Sequence, residues 1–262
     1  MKESNNFDRV ASVYNASRGY PPEVGRQISR ALADLAGRQQ LPALEIGAGT
    51  GLFTQYAVDL FQPYVAIDIA PAMLAQLRDV IGPRAVALVG NVTQLPFVDA
   101  TFEFVLSAKV LRHVGEWRKG LQQVRRVLKE GGVFLHSEEA WLEKTEASEV
   151  RPKWEAILAQ LGYAPHPHPG PTSDDVIMKE LSDSGWANVR RIVLAKWQAE
   201  SSPMSVLNHL EKGAGSSVFG IPEAVLDDSL VRLREWVRTR WSDPEAKELK
   251  AKAVVAVVAT AA

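Results

Sequence analysis

Three glycines in the run LEIGAGTGLFT, residues 44–54, stand at positions 47, 49 and 51, directly after the short apolar stretch Pro42–Ile46. A glycine turn after a buried strand lets the backbone reverse sharply and lets a ligand come close to it. The spacing narrows the ligand. A dinucleotide turn of the G-x-G-x-x-G type needs glycine at position 52, where Leu52 stands, and the third glycine falls one residue early. A phosphate-binding P-loop is excluded because no Gly-Lys-Ser/Thr follows. Glu45, at the mouth of the loop, repels a pyrophosphate and suits a ligand that carries positive charge. Asp68 closes a second apolar run, where a carboxylate accepts hydrogen bonds from both hydroxyls of a ribose. The same residue also fits as a cap for a helix opening at Pro71. Gly90-Asn91-Val92 follows a third run and places a side-chain amide where an adenine edge can meet it. The pattern describes a ligand with a ribose and an adenine but no phosphate.

The rest of the composition excludes several chemistries. The 262 residues contain no cysteine, which removes disulfides, Cys-ligated zinc and thiolate catalysis together. Lys+Arg is 30 and Asp+Glu 31, a net charge of −1, so the basic surplus of a phosphate-neutralising nucleic-acid binder is missing. His166 and His168 in PHPHP have no third ligand nearby and read as a surface loop, so no metal is expected. The arginines at 232, 234, 238 and 240 read as the solvated face of one helix. Six tryptophans after residue 140 read as core. The first residues, MKESNNFDRV, lack the basic and apolar regions of a secretory signal. The longest apolar stretch, 253–262, is too short to span a membrane. These features predict a soluble, cytoplasmic protein without membrane or nucleic-acid partners.

Elements of alternating type must position these residues. The spacing of Val24, Ile28, Leu32 and Leu35 predicts a helix over 22–37 that stops at Gly37. Strands are expected at 42–46, 64–69, 85–89, 102–107 and 133–136, with helices at 54–61, 71–80 and 116–129 between them and Gly131-Gly132 as a breaker. This β-α-β-α-β-β-α-β order predicts a Rossmann-like, doubly wound, mostly parallel α/β sheet. Later segments predict helices at 146–161 and 172–184, a strand at 188–197, helix through 203–241 and a final strand at 251–260. We expect one domain of about seven strands: lead-in helices over 1–40, a ligand-binding core over 41–138, late strands with helical lid insertions over 139–250, and a last strand in 251–262.

Four segments, LEIGAGTG, VAIDIAPAML, GNVTQLPFVDATFEFVLSAKVLRHV and RRVLKEGGVFLHSE, stand in the order and spacing of one family. Residues 44–138 resemble the class I S-adenosylmethionine-dependent methyltransferases, within them the type-11, small-molecule group. YNASRGYPPEV, residues 14–24, resembles a lead-in segment of that branch. The resemblance implies S-adenosyl-L-methionine as cofactor and S-adenosyl-L-homocysteine as product. It implies that Glu45, Gly47, Ala48 and Gly49 line the methionine part and that Asp68 holds the ribose. Ile69 and Met73 would pack beside the adenosine, Asn91 and Val92 would address the adenine, and Ser107 and Ala108 would run under the methionine moiety. Tyr14 and Arg18 would close over the cofactor, Arg18 at its carboxylate. Two positions depart from the family: Asn91, where Asp is frequent, and Glu130, where proline commonly precedes the double glycine.

Methyl transfer from a sulfonium is an in-line displacement with an activated leaving group, so positioning and exclusion of water dominate. A general base is needed only when the acceptor loses a proton. Tyr14, His113 and Glu138 are the polar groups expected near a small-molecule acceptor. Two other functions share parts of the pattern. A non-catalytic S-adenosylmethionine-binding module would keep the loop and Asp68 but lack an acceptor cavity. An NAD-dependent oxidoreductase is opposed by Leu52 and Glu45.

Overall fold

A computed structural model of the chain describes residues 19–38, 40–163, 168–213, 218 and 220–262. Its elements in chain order are α1 (Pro22–Ala36), β1 (Leu41–Ile46), α2 (Thr54–Ala57), β2 (Phe61–Asp68), α3 (Pro71–Ile81), β3 (Val86–Val89), β4 (Phe102–Ala108), α4 (Trp117–Val127), β5 (Leu128–Trp141), α5 (Val150–Gln160), α6 (Asp174–Asp183), β6 (Ala187–Ser201), α7 (Pro203–Glu211), α8 (Glu223–Arg240) and β7 (Glu248–Thr260). The strands form one seven-stranded sheet in the order β3-β2-β1-β4-β5-β7-β6. The pairs β1/β2, β1/β4, β2/β3 and β4/β5 are all parallel. The chain therefore leaves β1 on one side, for β2 and β3, and returns on the other for β4. At such a reversal the loops after neighbouring strands diverge and open a crevice at the carboxyl ends.

The described residues fall into two compact units. One takes those up to Ala140 with His168–Lys196 and Ala253–Ala262; the other takes those within Trp141–Pro167 and Trp197–Lys252. In the first, β1 and β4 are largely buried, and their apolar runs (Leu44, Ile46, Val105) pack with Leu121, Val124 and Val127 of the amphipathic α4 and with Phe134, Trp186 and Val257. In the second, Val150, Trp154, Ile157 and Leu158 of α5 pack with Leu207 and Leu210 of α7 and Leu233 and Val237 of α8.

Three expectations need correction. The helix expected over 54–61 ends at Ala57, and Phe61 opens β2, buried against Tyr64 and Phe104 at ring-centroid distances of 6.3 and 4.8 Å. The double glycine does not separate α4 from a later strand: β5 begins at Leu128 and runs through it. Register shifts between Phe102↔Leu128 and Phe104↔Val133, and Gly131 takes a left-handed φ of 75°, so the glycines form an irregularity inside the strand. The continuous helix of 203–241 is two helices, because Gly213 takes a φ of 60° just past α7 and Pro222 precedes α8.

Candidate functional site

The loops after β1, β2, β3 and β4 enclose a cavity of about 260 Å³ within the first unit. Gly47 and Gly49 come from the first loop, Asp68 and Ile69 from the second with Met73 of α3, Gly90, Asn91 and Val92 from the third, and Ala108 from the end of β4. Eight residues expected from the sequence to bind one ligand are thus brought together at the reversal point of the sheet. His113, expected near an acceptor, also borders the cavity, and its ring meets that of His168 edge-on at 4.9 Å.

Backbone geometry explains the glycines. Gly47, Gly49 and Gly51 have φ of 65°, 56° and 88°, which an L side chain rarely adopts. A Cβ on Gly47 would sit 2.0 Å from Val110 Cγ2, and one on Gly51 would sit 2.6 Å from Leu77 Cδ1. A Cβ on Gly49 would meet no protein atom within 4 Å, although its backbone borders the cavity, so the space it leaves is open to a ligand.

Asp68 ties this loop to the next strand. Gly49 N–H donates to its Oδ2 at 2.8 Å and Ala70 N–H to its Oδ1 at 2.9 Å, so each carboxylate oxygen accepts a backbone bond. Asn91 turns its Oδ1 back onto the N–H and Oγ1 of Thr93, both at 2.9 Å, which leaves its amide N–H₂ as the half able to donate to a ring nitrogen. These groups suit an uncharged adenine and a ribose. The loop carries no lysine or arginine for a pyrophosphate, and the residues present fit S-adenosylmethionine.

Other expected residues are placed differently. The Glu45 side chain is 1% exposed and turned inward, where its Oε2 accepts from Thr54 Oγ1 and Tyr64 OH, each at 2.7 Å. Burial pushes its carboxyl up to about 7; the two hydroxyls pull it down, and the Asp68 carboxylate pushes it further up. Ser107 is fully buried, its Oγ 3.0 Å from His136 Nδ1. Ala48 is buried and donates its N–H to Ile67 O at 3.0 Å. Glu138 lies within β5, with His136 Nε2 at 3.7 Å and Arg112 Nε at 3.9 Å. Burial would raise the Glu138 carboxyl, but the His136 imidazole, Arg112 and Lys109 outweigh it and hold it below the ordinary value. Tyr14, Arg18 and His166 lie outside the described residues.

Several residues at this end of the sheet escaped the sequence reading. Lys109 borders the cavity with a left-handed φ of 58° and pairs with Glu139. Tyr20 OH donates to the same Glu139 Oε1 at 2.9 Å. Burial, reinforced by Glu139, keeps the Tyr20 phenol protonated far above its ordinary range. Val110 and Glu116 also line the cavity, beside His113. Among the described residues, no group of three or more His, Asp or Glu is arranged to hold a metal ion. No helix among them is long and apolar enough to cross a membrane.

Part of the sequence, and the fold, are similar to those of known methyltransferases. The family described as "Methyltransferase domain" matches residues 44–136. A malonyl-[acyl-carrier protein] O-methyltransferase of Serratia marcescens is 31% identical over 134 residues, 50% of this chain and 50% of that protein. A demethylmenaquinone methyltransferase of Clavibacter sepedonicus is 35% identical over 133 residues, 48% of this chain and 53% of that protein. The chain thus spans about half the length of these curated relatives. Among solved structures, an S-adenosylmethionine-dependent methyltransferase of Thermotoga maritima matches with a TM-score of 0.54 at 16% identity, covering 99% of this chain and all of that one. The geranyl diphosphate C-methyltransferase of Streptomyces coelicolor, solved with S-adenosyl-L-homocysteine, matches at 0.50 and 14%, covering 89% and 75%. At these identities the structural likeness speaks for the fold: the class I methyltransferase α/β architecture.

Proposed function

We propose, from the premise that residues 44–136 form a methyltransferase domain of this family, that the chain is an S-adenosylmethionine-dependent methyltransferase acting on a small molecule. One observation carries the reading: the glycine loop, Asp68 and the Asn91 segment line a single cavity at the reversal point of the sheet. In it the Asp68 carboxylate accepts from the ribose hydroxyls and the Asn91 amide donates to the adenine. Ile69, Met73 and Val92 give the adenosine an apolar wall, while Gly47, Gly49 and Ala108 run beside the methionine part.

When bound, the cofactor supplies a methyl group on a sulfonium, already activated for displacement. The protein contributes orientation and shielding from water, effects worth up to ~7–11 kcal/mol in favourable cases. A base enters only for an acceptor that must lose a proton. The relatives' names range from a carrier-protein-bound malonyl group to demethylmenaquinone, so likeness alone leaves the acceptor open.

Calorimetric titration with S-adenosylmethionine, S-adenosylhomocysteine and NAD tests the reading. We expect binding of the first two and no heat from NAD. Binding of NAD alone would overturn it.

A further inference from the structure

Where the carboxyl end of β4 pairs with β5, beside the cavity but apart from the ligand-lining residues, three side chains form a line. Ser107 and His136 are paired directly in the β4/β5 register, and their side chains meet at 3.0 Å. The far nitrogen of the same ring faces Glu138 Oε1 at 3.7 Å. His136 is 1% exposed, whereas the Glu138 side chain keeps 20% of its surface open. We propose that Ser107, His136 and Glu138 are the proton-accepting group of this methyltransferase, and that its acceptor is a neutral protic group, such as a hydroxyl, phenol or enol, which loses its proton on methylation. The proposal rests on the methyltransferase reading above and deepens it.

The arrangement suits holding a proton better than attacking a substrate. Ser107 is fully buried and is not among the residues lining the cavity above, so it is no nucleophile. Its hydroxyl can donate to Nδ1 or accept from it, so the ring keeps its partner whether or not it gains a proton. Glu138 is the member that reaches open space, and an ionised carboxylate beside the imidazole stabilises a charge arriving there. Among the described residues, Arg112 lies 3.9 Å from Glu138, and Lys109 pairs with Glu139, which also takes the Tyr20 hydroxyl. The neighbouring strand β7 presents only alanine and valine from Ala253 to Ala259. These two acids and two bases, among the described residues, give no excess of positive charge to select an anionic acceptor.

Charge conservation gives the line its purpose. Methylation of a neutral X–H forms the X–C bond and breaks the S–C bond with its electron pair left on sulfur. The positive charge of the sulfonium then reappears as the released proton. A group beside the cavity that takes up that proton keeps the charge of the site constant through the reaction.

This linkage is measurable without any acceptor. Binding of S-adenosylmethionine and of S-adenosylhomocysteine is followed by calorimetry in buffers of different ionisation enthalpy between pH 5 and 8, which counts the protons taken up with each. We expect the uncharged thioether to bring with it roughly 0.3–1 proton more than the sulfonium, as a lost unit charge nearby requires. The excess should persist in Glu45→Gln, which removes the buried carboxyl that burial pushes up to about 7, and should disappear in Glu138→Gln and His136→Gln. Glu138 is partly exposed, so its variant keeps the test decisive should His136→Gln fail to fold. Equal proton uptake with both ligands, or an excess that survives in Glu138→Gln, overturns the proposal while leaving the methyltransferase reading intact. Failure of both ligands to bind overturns that reading and the proposal with it.

Discussion

The Asp68 carboxylate holds Gly49 directly: the glycine N–H donates to Oδ2 at 2.8 Å across the mouth of the cavity. The acid assigned to the ribose therefore also sets the shape of the glycine loop, and its Oδ1 fixes the start of α3 through Ala70. Asp68→Ala should lose both functions. Charge-assisted hydrogen bonds of this kind are worth about 1.5–3 kcal/mol, so S-adenosylmethionine should bind roughly 10–100-fold more weakly. Calorimetry measures the affinity, and faster amide exchange at Gly49 and Ala70 would report the loosened loop. Unchanged affinity in the folded variant would remove Asp68 from the ribose.

Glu45 makes stability depend on pH in an unusual direction. Its carboxyl is pushed up to about 7 by burial, against an ordinary value of 4.5. Between these values the folded chain holds a proton that the unfolded chain has released, so stability declines as pH rises through that window, and the full cost is present above 7. Glu45→Gln keeps an acceptor for Thr54 and Tyr64 without the charge. It should be more stable than the parent by about 2–3 kcal/mol at pH 8, and the two should converge near pH 4.5. Urea denaturation at both pH values checks this; a parent that gains stability on raising the pH would refute the assignment.

How much of this was legible in the sequence follows from how each feature arises. The cavity's glycines, Asp68 and Asn91 each follow a strand in the chain, and a parallel sheet delivers successive strand ends to one edge, so order alone locates them. Lys109 and Val110 were missed because a left-handed turn after β4, with φ of 58° at a lysine, leaves no mark in residue type. Ser107 and His136 lie 29 residues apart and meet only through the β4/β5 register. The inward turn of Glu45 was hidden for the same reason: Tyr64, its partner, stands on the neighbouring strand. Apolar patterning found the strands but extended α2 to Phe61, since a buried aromatic suits a helix face and a strand start equally.

The approach of Val110 to Gly47 makes a graded test of the loop. Gly47→Ala introduces a Cβ 2.0 Å from Val110 Cγ2 and also forces alanine into a left-handed φ of 65°. Cofactor affinity should fall more than roughly ten-fold, and the chain should lose stability. Val110→Ala in the same chain removes the clash but not the backbone strain, which costs about 1–2 kcal/mol. The double variant should therefore recover only part of the affinity. Full recovery would show that backbone conformation contributes nothing, and no recovery would show that Val110 is not the obstacle.

The second unit has its own buried polar contact, independent of the cavity. Trp154 of α5 is 1% exposed, and its indole N–H donates to Ser229 Oγ of α8 at 2.9 Å, while the Ser229 hydroxyl donates to Leu226 O at 2.7 Å. A serine in the middle of a helix returns its own proton to the preceding turn, which leaves its oxygen to accept the indole. Ser229→Ala strands that N–H among Leu207, Leu233 and Val237, at a cost of about 1–3 kcal/mol. Thermal melting followed by tryptophan fluorescence should show a lower midpoint, whereas S-adenosylmethionine affinity at 25 °C should stay within about two-fold of the parent. Trp154→Phe in the Ser229→Ala background removes the stranded donor and should cost less than the sum of the two single changes. Additive losses would mean that indole and hydroxyl are not coupled.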